Sequence, residues 1–300
     1  MSAFPPRPRF AWKLRSRTLA LGERTQIMAI VNLTPDSFSG DGLAARPVDE
    51  CAEAAVAPLD CGADILDIGA ESTRPGAQPI SAGEEQARLL PVLEAVFRAR
   101  PDALVSVDTY HAATARAAAQ AGAEIINDVS GLLWEPAMAQ AVAETGCGFV
   151  LMHTRGRPTE WRTQAPLAGA EVLPEVLGGL RRQLSTALAA GIAPECIVLD
   201  PGFGFGKVGA ENLTLLAEFA QLHTLGYPLL AGVSRKGFLG EAVRATQPQG
   251  LPVAEARFVA TAAANVTAAL SGAHLLRVHD VQPAREAAAL ADALIAARTS

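Results

Sequence analysis

The chain has 300 residues, of which half are apolar, and it carries a formal net charge of −6. This apolar fraction supports a large core and argues against disorder, and the acidic balance disfavours a general nucleic-acid-binding surface. We therefore expect one large folded domain or two ordinary ones, without a nucleic-acid partner.

The first residues, MSAFPPRPRFAWKLRSR, are basic and rich in proline. They lack the apolar core of about 7–15 residues that a secretory signal requires, and no apolar stretch of the chain approaches the roughly 18 residues of a membrane span. We expect residues 1–16 to be a flexible N-terminal segment of a soluble, cytoplasmic protein without a membrane partner. The cysteines lie far apart without a CxxC pair, which is typical of reduced, buried thiols rather than of disulfides or zinc ligands: Cys51, Cys61, Cys147 and Cys196.

The segment RTLALGERTQ, residues 17–26, has the pattern of a strand, a tight turn and a second strand. We predict a short hairpin there that closes the N-terminal end of the fold. Eight short apolar runs follow, and they alternate with Ala- and Leu-rich helical patterns such as 84–97, 174–190 and 283–297. The runs are 26–31, 64–69, 103–107, 124–126, 148–152, 196–199, 229–233 and 274–278.

Continuous apolar strands that alternate with helices indicate a parallel sheet with both faces covered. Eight such units in about this length fit a (β/α)8 barrel, also called a TIM barrel. We therefore predict an α/β chain with a single barrel domain over residues 17–300. A doubly wound open sheet is the alternative, although it would be large for eight strands without a second domain. No linker rich in Gly, Pro or Ser divides the chain.

Every apolar run ends in polar residues, and active sites of such barrels lie at the C-terminal ends of the strands. One polar strand end would be only a turn or a helix cap. Eight of them in one fold would form a ring of donors and acceptors around one cavity. The segments are NLTPDSFSGDG (32–42), AESTRPG (70–76), DTYH (108–111), NDVSG (127–131), HTRGRP (153–158), DPGFGFGK (200–207), SRKGFLG (234–240) and Arg277 with HD (279–280).

Three of these strand ends carry two carboxylates and an amide. Asp108, Asn127 and Asp200 would end the third, fourth and sixth barrel strands. Facing inward, they could bind a flat heterocycle that presents several N–H donors and ring acceptors. Either aspartate alone could equally well be a helix N-cap. Together with Asn127 and Lys236, the two aspartates favour a binding site.

Positive charges collect at other strand ends: Arg74, Lys236, Arg277 and His279, with Arg235 beside them. Arg277 and His279 are two residues apart on one strand, so both can face the same side. The segment SRKGFLG could add free backbone N–H groups at a helix N-terminus, and the loops after strands seven and eight of this fold often bind phosphate. These features predict a phosphorylated or carboxylated ligand, whereas any single arginine would usually be a solvated surface charge.

The glycine-rich stretch GFGFG, residues 202–206, does not match the GxxxxGK[ST] phosphate loop. We interpret it as a loop that places an aromatic ring over a flat ligand. We interpret the histidines outside this set of cations as structural: His111, His153, His223 and His274. No cluster of His, Cys and carboxylates in the sequence indicates a transition metal, and Mg²⁺ bound through oxygen atoms and substrate phosphates is compatible with the pattern.

In this order, seven motifs resemble those of the dihydropteroate synthase family: NLTPDSFSGDG, DIGAESTRPGA, VDTY, NDVSG, DPGFGFGK, GVSRKGFLG and RVHDV. The resemblance extends from about residue 17 to the C-terminus. It implies a (β/α)8-barrel transferase of folate biosynthesis that is the target of sulfonamides. The implied reaction joins (7,8-dihydropterin-6-yl)methyl diphosphate to 4-aminobenzoate and releases pyrophosphate.

The resemblance also implies roles for individual residues. The pterin would be held by Asp108, Asn127, Asp200 and Lys236. The diphosphate would be held by Arg74, Arg277 and His279, with Asn32 as the ligand of Mg²⁺. The 4-aminobenzoate site would be lined by Thr73, Pro75, Phe205, Ser234 and Lys236. We expect the main catalytic contribution from Arg74, Lys236, Arg277 and His279, and we add Arg235 to the substrate-binding set.

The implied mechanism is SN1-like, because Mg²⁺ and the cations would stabilise the leaving diphosphate before the neutral arylamine captures the pterin cation. The loops 32–45 and 71–80 would close over both substrates and exclude water. Two segments depart from the family pattern. The first loop reads SFSGDG, so its acidic residue is Asp41, displaced by one position from the family pattern. The fifth strand end carries Arg155 and Arg157, to which we assign no role.

Two other functions fit parts of this pattern. A pterin-dependent methyltransferase shares the pterin pocket but has no diphosphate to stabilise, so the cations favour the synthase. A pterin-binding protein without catalysis should have lost the first two loops, yet NLTPDSFS and STRPG are intact. The resemblance further implies a homodimer formed through the C-terminal helices, with which the Ala-rich ranges 254–271 and 284–297 are compatible.

Overall fold

A computed structural model of the chain describes residues 7–34, 47–72, 77–161, 163–246 and 253–299. The strands in these ranges are β1 (Phe10–Lys13), β2 (Thr18–Leu21), β3 (Gln26–Asn32), β4 (Ile65–Gly69), β5 (Val105–Asp108), β6 (Ile125–Asp128), β7 (Gly148–Met152), β8 (Ile197–Asp200), β9 (Leu230–Ala231) and β10 (Leu275–Val278). The α-helices are α1 (Val48–Asp60), α2 (Ala82–Ala99), α3 (Ala112–Gln120), α4 (Met138–Thr145), α5 (Gly169–Ala189), α6 (Ala210–Ala217), α7 (Gly237–Val243), α8 (Val253–Leu270) and α9 (Val281–Thr299).

The strands β3 to β10 form one parallel sheet in the order β8-β7-β6-β5-β4-β3-β10-β9. A parallel bridge between Leu199 of β8 and Leu229, the residue before β9, joins the two edges. The Leu199 amide also donates to the carbonyl oxygen of Pro228 over 2.9 Å. The sheet therefore curls into a (β/α)8 barrel, which confirms the predicted fold and excludes the doubly wound open sheet.

Each of the eight apolar runs corresponds to one strand of the barrel. The strands β3, β5, β6 and β8 extend past their runs, so that Asn32, Asp108, Asn127 and Asp200 are themselves strand residues. The predicted helical ranges 84–97, 174–190 and 283–297 correspond to α2, α5 and α9, which begin up to five residues earlier. The start of α2 is fixed by a reciprocal capping pair between Ser81 and Glu84, which satisfies amides that a helix start leaves unpaired.

The N-terminal hairpin exists and its first predicted arm is β2, but the predicted position of its other strand is wrong. The strand β1 lies within residues 1–16, which were expected to be flexible, and it pairs antiparallel with β2 from Phe10↔Leu21 to Lys13↔Thr18. The second predicted arm of the hairpin leads instead into β3 of the barrel. The sequence analysis missed this strand, FAWK, because its neighbours are basic residues and prolines and only Trp12 within it is buried.

The hairpin closes the N-terminal end of the barrel, as predicted. Trp12, Leu14 and Leu21 are at most 2% exposed and pack against inward-facing residues of the barrel strands. Trp12 Nε1 also donates to the carbonyl oxygen of Cys196 over 2.7 Å. A Cβ atom at Gly148 would clash with Leu14 Cδ2 and lie 3.1 Å from the indole of Trp12, so the first residue of β7 leaves room for both side chains. A second, larger core lies between the barrel strands and the surrounding helices.

All four cysteines are free thiols, as predicted, but the expectation that all are buried is wrong for Cys61. Cys61 directly follows α1 in the turn that leads to β4, where its side chain meets solvent. The other three thiols are buried. Among the described helices, none is both long and apolar enough to cross a membrane.

We predict that Trp12→Ala lowers the free energy of unfolding by about 3–5 kcal/mol, because it empties the centre of the hairpin core. Urea unfolding followed by circular dichroism measures this change. The matched control is Lys13→Ala in the same strand, whose side chain is exposed and whose removal should change stability by less than about 0.5 kcal/mol. Equal effects of the two substitutions would contradict the assignment of the hairpin as part of the core.

Candidate active site

Polar side chains follow one another around the C-terminal rim of the barrel because the strand ends are in register. Asn32 is paired with Gly69, Gly69 with Asp108, and Asp108 with Asn127. The ends of β3, β4, β5 and β6 therefore lie at one level. In a parallel barrel this level is the face on which active sites are built.

A buried ion-pair network lies just below this level. Arg277 of β10 donates from Nε to Asp67 Oδ2 and from Nη2 to Asp108 Oδ2, and both distances are 2.6 Å. Asn127 donates from Nδ2 to the same Asp67 oxygen over 3.0 Å, and Ser106 donates to Asp67 Oδ1 over 2.6 Å. One guanidinium thus bridges two carboxylates that come from different strands.

Asp67 is a site residue that the sequence analysis missed. It occupies the middle of the apolar run DILDIG, and its side chain is completely buried in the barrel. Its charge was the one feature of the sequence that could have indicated a role in the site, because a buried carboxylate inside an apolar strand requires partners. The sequence does not show that Ser106, Asn127 and Arg277, from three other strands, supply them.

The network contains two carboxylates, Asp67 and Asp108, and one guanidinium, and these groups are largely buried. Burial raises the pKa of Asp108 to about 7, and Asp67 adds to this rise, while the guanidinium of Arg277 opposes it. Burial likewise raises the pKa of Asp200, opposed by its bond from the Gly202 amide and by the charges of Lys236 and Arg277. Such raised values are typical of functional carboxylates in clefts.

A small pocket lies above the network. Its polar groups come from four strand ends or loops, and the rest of its wall is apolar apart from the backbone of Gly232. This combination suits a flat ring system with hydrogen-bonding edges. The lining residues are Asn127, Val129, Met152, Asp200, Phe203, Phe205, Gly232, Lys236 and Arg277.

The two phenylalanines of the GFGFG stretch have different roles. Phe203 is 1% exposed and stacks with Phe219 and Phe238, so it is mainly a core residue at the base of the pocket. Phe205 lines the pocket, and Lys236 Nζ lies 4.2 Å from the centre of its ring. Trp161 packs edge-on against Phe205, with ring centres 5.1 Å apart.

Ser234, Arg235 and His279 lie together at the ends of β9 and β10. The hydroxyl of Ser234 accepts the His279 amide over 3.2 Å and lies 3.1 Å from His279 Nδ1. Arg235 has the unusual backbone φ of 56° and makes a two-pronged ion pair with Asp280, at 3.0 and 2.6 Å. Lys236 then occupies the N-cap position of α7.

The two arginines that the sequence left unassigned bind backbone oxygens of the surrounding loops. Arg155 donates to the carbonyl oxygens of Gly206 and Ala165, each over 3.1 Å. Arg157 donates to the carbonyl oxygen of Trp134 over 3.0 Å and lies over its indole. The structure therefore places both guanidinium groups in contacts between loops.

Glu71 connects the second strand-end loop to the third. Its carboxylate accepts the Tyr110 hydroxyl over 2.6 Å and the Ile80 amide over 3.4 Å, and it bonds His111 Nε2 at 3.0 Å. The hydrogen bond to Glu71 raises the pKa of His111, against the opposing effect of burial. The structural role predicted for His111 agrees with this arrangement.

Several predicted site residues lie outside the described residues: Thr73, Arg74, Pro75 and Asp41. The same holds for most of the first predicted loop, 32–45, and for 73–76 of the second. Asn32 is described at the end of β3 and is half-buried.

Comparisons with known proteins agree with this geometry. Residues 28–279 match the family model described as pterin binding enzyme. Dihydropteroate synthase of Escherichia coli strain K12 is 40% identical over 272 residues, which cover 91% of this chain and 92% of that protein.

Two solved structures are similar over nearly the whole fold. The Yersinia pestis dihydropteroate synthase in a sulfonamide drug complex has a TM-score of 0.86 and 39% identity, covering 97% of this chain and 100% of its own. The Xanthomonas albilineans dihydropteroate synthase with 4-aminobenzoic acid has a TM-score of 0.82 and 39% identity, covering 95% and 98%. With identity at this level sustained across the barrel and its strand-end motifs, the chain belongs to the pterin binding enzyme family and, within it, to the dihydropteroate synthases.

Proposed function

We propose that the chain condenses (7,8-dihydropterin-6-yl)methyl diphosphate with 4-aminobenzoate to form 7,8-dihydropteroate and pyrophosphate. The observation that carries the proposal is the pocket above the Asp67–Arg277–Asp108 network, with Asp200 and Lys236 on its walls. This arrangement combines a buried site for a flat heterocycle with cations at its rim. The family membership supports the same reaction.

The polar groups of the pocket match the edge of a pterin. Its amino group and ring N–H donate, and its ring nitrogens and carbonyl oxygen accept. Asp200 has one carboxylate oxygen bonded to the Gly202 amide at 2.7 Å, and the other is available to a ligand N–H. Asn127 Nδ2 is held by Asp67, which fixes the amide and directs its oxygen as an acceptor. Lys236 would donate to a ring acceptor.

The 4-aminobenzoate would lie at the rim between Phe205, Lys236 and Ser234. The ring of Phe205 offers an apolar face, and the ammonium of Lys236 beside it attracts a carboxylate. In this proposal Thr73 and Pro75 complete the same wall, and Arg235 supports it through its pair with Asp280. The neutral amine of the substrate then points towards the methylene carbon of the pterin.

The chemistry is SN1-like in this proposal. The bond between the methylene carbon and the diphosphate oxygen breaks first, and its electron pair leaves with the diphosphate. The lone pair of the arylamine then forms the new C–N bond, and the amine releases one proton. Arg74, Arg277 and His279 would stabilise the leaving anion, and the dry pocket keeps water from the cation.

The donor set near the diphosphate fits Mg²⁺. In the described ranges no group of three or more His, Cys, Asp or Glu side chains could form a protein cage for a metal. Mg²⁺ does not need such a cage, since it keeps several waters and binds one or two protein oxygens together with substrate phosphates. The side-chain oxygen of Asn32 would be that ligand. Bound there, Mg²⁺ would supply charge stabilisation to the leaving group.

The competing functions explain less of the site. A pterin-dependent methyltransferase would use the pterin pocket but not a cationic rim. A catalytically inactive pterin-binding protein would not need Phe205 and Lys236 in contact above the pocket. The synthase uses both parts of the site.

We also propose that the protein forms a homodimer through α8 and α9. Phe258 and Val259 on α8 are 48% and 75% exposed, and Leu290 and Leu294 on α9 are 57% and 42% exposed. The two helices pack against each other through Ala269, Leu270 and Ala291. Large exposed apolar side chains on two helices that pack against each other are compatible with an interface.

The function is tested by pyrophosphate release from the dihydropterin diphosphate in the presence of Mg²⁺. We expect release to depend on added 4-aminobenzoate and to yield dihydropteroate. Tight pterin binding without arylamine-dependent release would instead indicate a binding protein. Absence of pterin binding would refute the assignment of the pocket.

We predict that Asp108→Asn weakens binding of 6-hydroxymethyl-7,8-dihydropterin by about 10- to 100-fold, because it removes the charged acceptor of the buried ligand N–H donors and of Arg277 Nη2, while Arg277 Nε keeps its bond to Asp67. Titration calorimetry measures the affinity. The matched control is Asp102→Asn, at the exposed, opposite end of the same barrel unit, which should bind the pterin like the wild type.

The same residue should make pterin affinity depend on pH. Since burial raises the pKa of Asp108 to about 7, its accepting carboxylate form is lost as the pH falls through that value. Affinity should therefore weaken from about pH 8 to about pH 6. A wild-type dependence that persists unchanged in Asp108→Asn would contradict the role of this carboxylate.

We predict that Val259→Glu converts the dimer to a monomer, because a charge would be buried in an apolar interface. Sedimentation equilibrium measures the mass. Leu188→Glu is the control, since Leu188 is 41% exposed on α5, outside the proposed surface. A dimer that survives Val259→Glu, or a monomeric wild type, would refute the interface.

A further inference from the structure

A buried lysine lies behind the aromatic wall of the pocket and takes no part in the mechanism described above. Lys207 is 2% exposed. Its ammonium donates to Phe205 O over 3.1 Å and to His153 O over 3.4 Å, and it lies 3.0 Å from His153 Nδ1. All three of its N–H directions thus have acceptors, and the acceptors belong to two different loops.

This lysine binds neutral acceptors although charged groups lie nearby. Among the described residues, no carboxylate forms an ion pair with Lys207; Asp200 and Glu211 act on it only from a distance. Burial lowers the pKa of Lys207 to about 7, so the buried position costs free energy. A position with such a cost calls for a compensating role in the fold or the site.

The His153 ring is held so that it can receive this bond. Burial, with Lys207 nearby, lowers the pKa of His153 well below its ordinary value, so the ring is neutral and Nδ1 accepts. A helix residue, Gly179 of α5, packs against the other edge of the ring. A Cβ atom at Gly179 would lie 2.6 Å from His153 Nε2 and even closer to Cδ2, so the glycine makes room for the histidine.

The loop that Lys207 binds is the one that carries Phe205. Asn212 holds two further points of this loop, since it accepts the Gly204 amide over 2.7 Å and donates to Lys207 O over 2.9 Å. Two donors tie Phe205 O to the segment after β7: the Arg155 amide over 3.3 Å and, as the side-chain donor, Lys207 Nζ over 3.1 Å. The ring of Phe205 in turn contacts both Trp161 and the ammonium of Lys236.

We propose that Lys207, held by His153, is a positioning residue that fixes Phe205 against Lys236 and thereby shapes the binding site of the aromatic amine substrate. It touches neither substrate. This inference rests on the proposed function, in which Phe205 and Lys236 line that site. Loss of the bond leaves the Asp67–Arg277–Asp108 network intact, so the pterin half of the site should be preserved.

Two substitutions break the same contact from opposite sides. Lys207→Met keeps an unbranched, apolar side chain that is one atom shorter, and it removes the N–H donors. Gly179→Ala keeps Lys207 but displaces the His153 ring. We expect each to raise the KM for 4-aminobenzoate by about 10- to 100-fold, because a small misplacement of a binding group has a large effect. The affinity for 6-hydroxymethyl-7,8-dihydropterin, measured by calorimetry, should change less than about twofold by the same reasoning.

The matched control is Gly178→Ala, one residue earlier on the same helix. Its added Cβ would meet only the guanidinium of Arg182, at 3.4 Å. It should leave the KM for 4-aminobenzoate unchanged. Thermal unfolding of each variant reports whether the fold is kept. If Lys207→Met does not fold, the KM of Gly179→Ala for 4-aminobenzoate tests the inference.

The outcomes separate the inference from the function on which it rests. An unchanged KM for 4-aminobenzoate in a folded variant, or an equal loss for pterin and arylamine, would overturn the role of Lys207. A wild type without arylamine-dependent pyrophosphate release would instead refute the proposed function. An arylamine-specific defect in both variants, absent in Gly178→Ala, would establish the positioning contact.

Discussion

The pairing of Arg277 with Asp67 and Asp108 is the constraint around which the C-terminal end of the barrel is organised. Two buried carboxylates without a partner would be expensive, and one guanidinium meets both at 2.6 Å. These contacts require β4, β5 and β10 to end at fixed levels along the barrel axis. The closed order of the sheet provides this, because β3 lies between β10 and β4, and β5 follows next.

Around this centre, buried polar contacts hold the loops that form the walls. Arg155 binds carbonyl oxygens of the glycine-rich loop and of its own loop, and Asn212 and Lys207 hold the former loop from within. Such contacts place Phe205 without touching a ligand themselves. A rim built on loops can be specific only where supporting contacts restrict those loops.

The opposite end of the barrel serves stability. Trp12, Leu14 and Leu21 of the hairpin fill the space beneath the strands, and Gly148 leaves room for them. Burial there is nearly complete and apolar, in contrast to the charged layer at the other end. The division agrees with the general separation of stabilising and catalytic faces in this fold.

The sequence by itself determined the barrel, the order of its strands and most of the residues around the pocket. Apolar runs and polar strand ends are local features, and a parallel barrel brings all C-terminal strand ends to one face, so Asp108, Asn127, Asp200, Lys236 and Arg277 could be predicted to lie together. Only the tertiary structure decided which groups bond. Asp67 resembled an isolated charge in a strand, and the strand around Trp12 lies in a basic segment. The local pattern did not distinguish Phe203 from Phe205, which only the family resemblance singled out. Each of these depends on partners distant in sequence, 210 residues away for Asp67 and Arg277, because burial and pairing are properties of the folded chain and not of the local pattern.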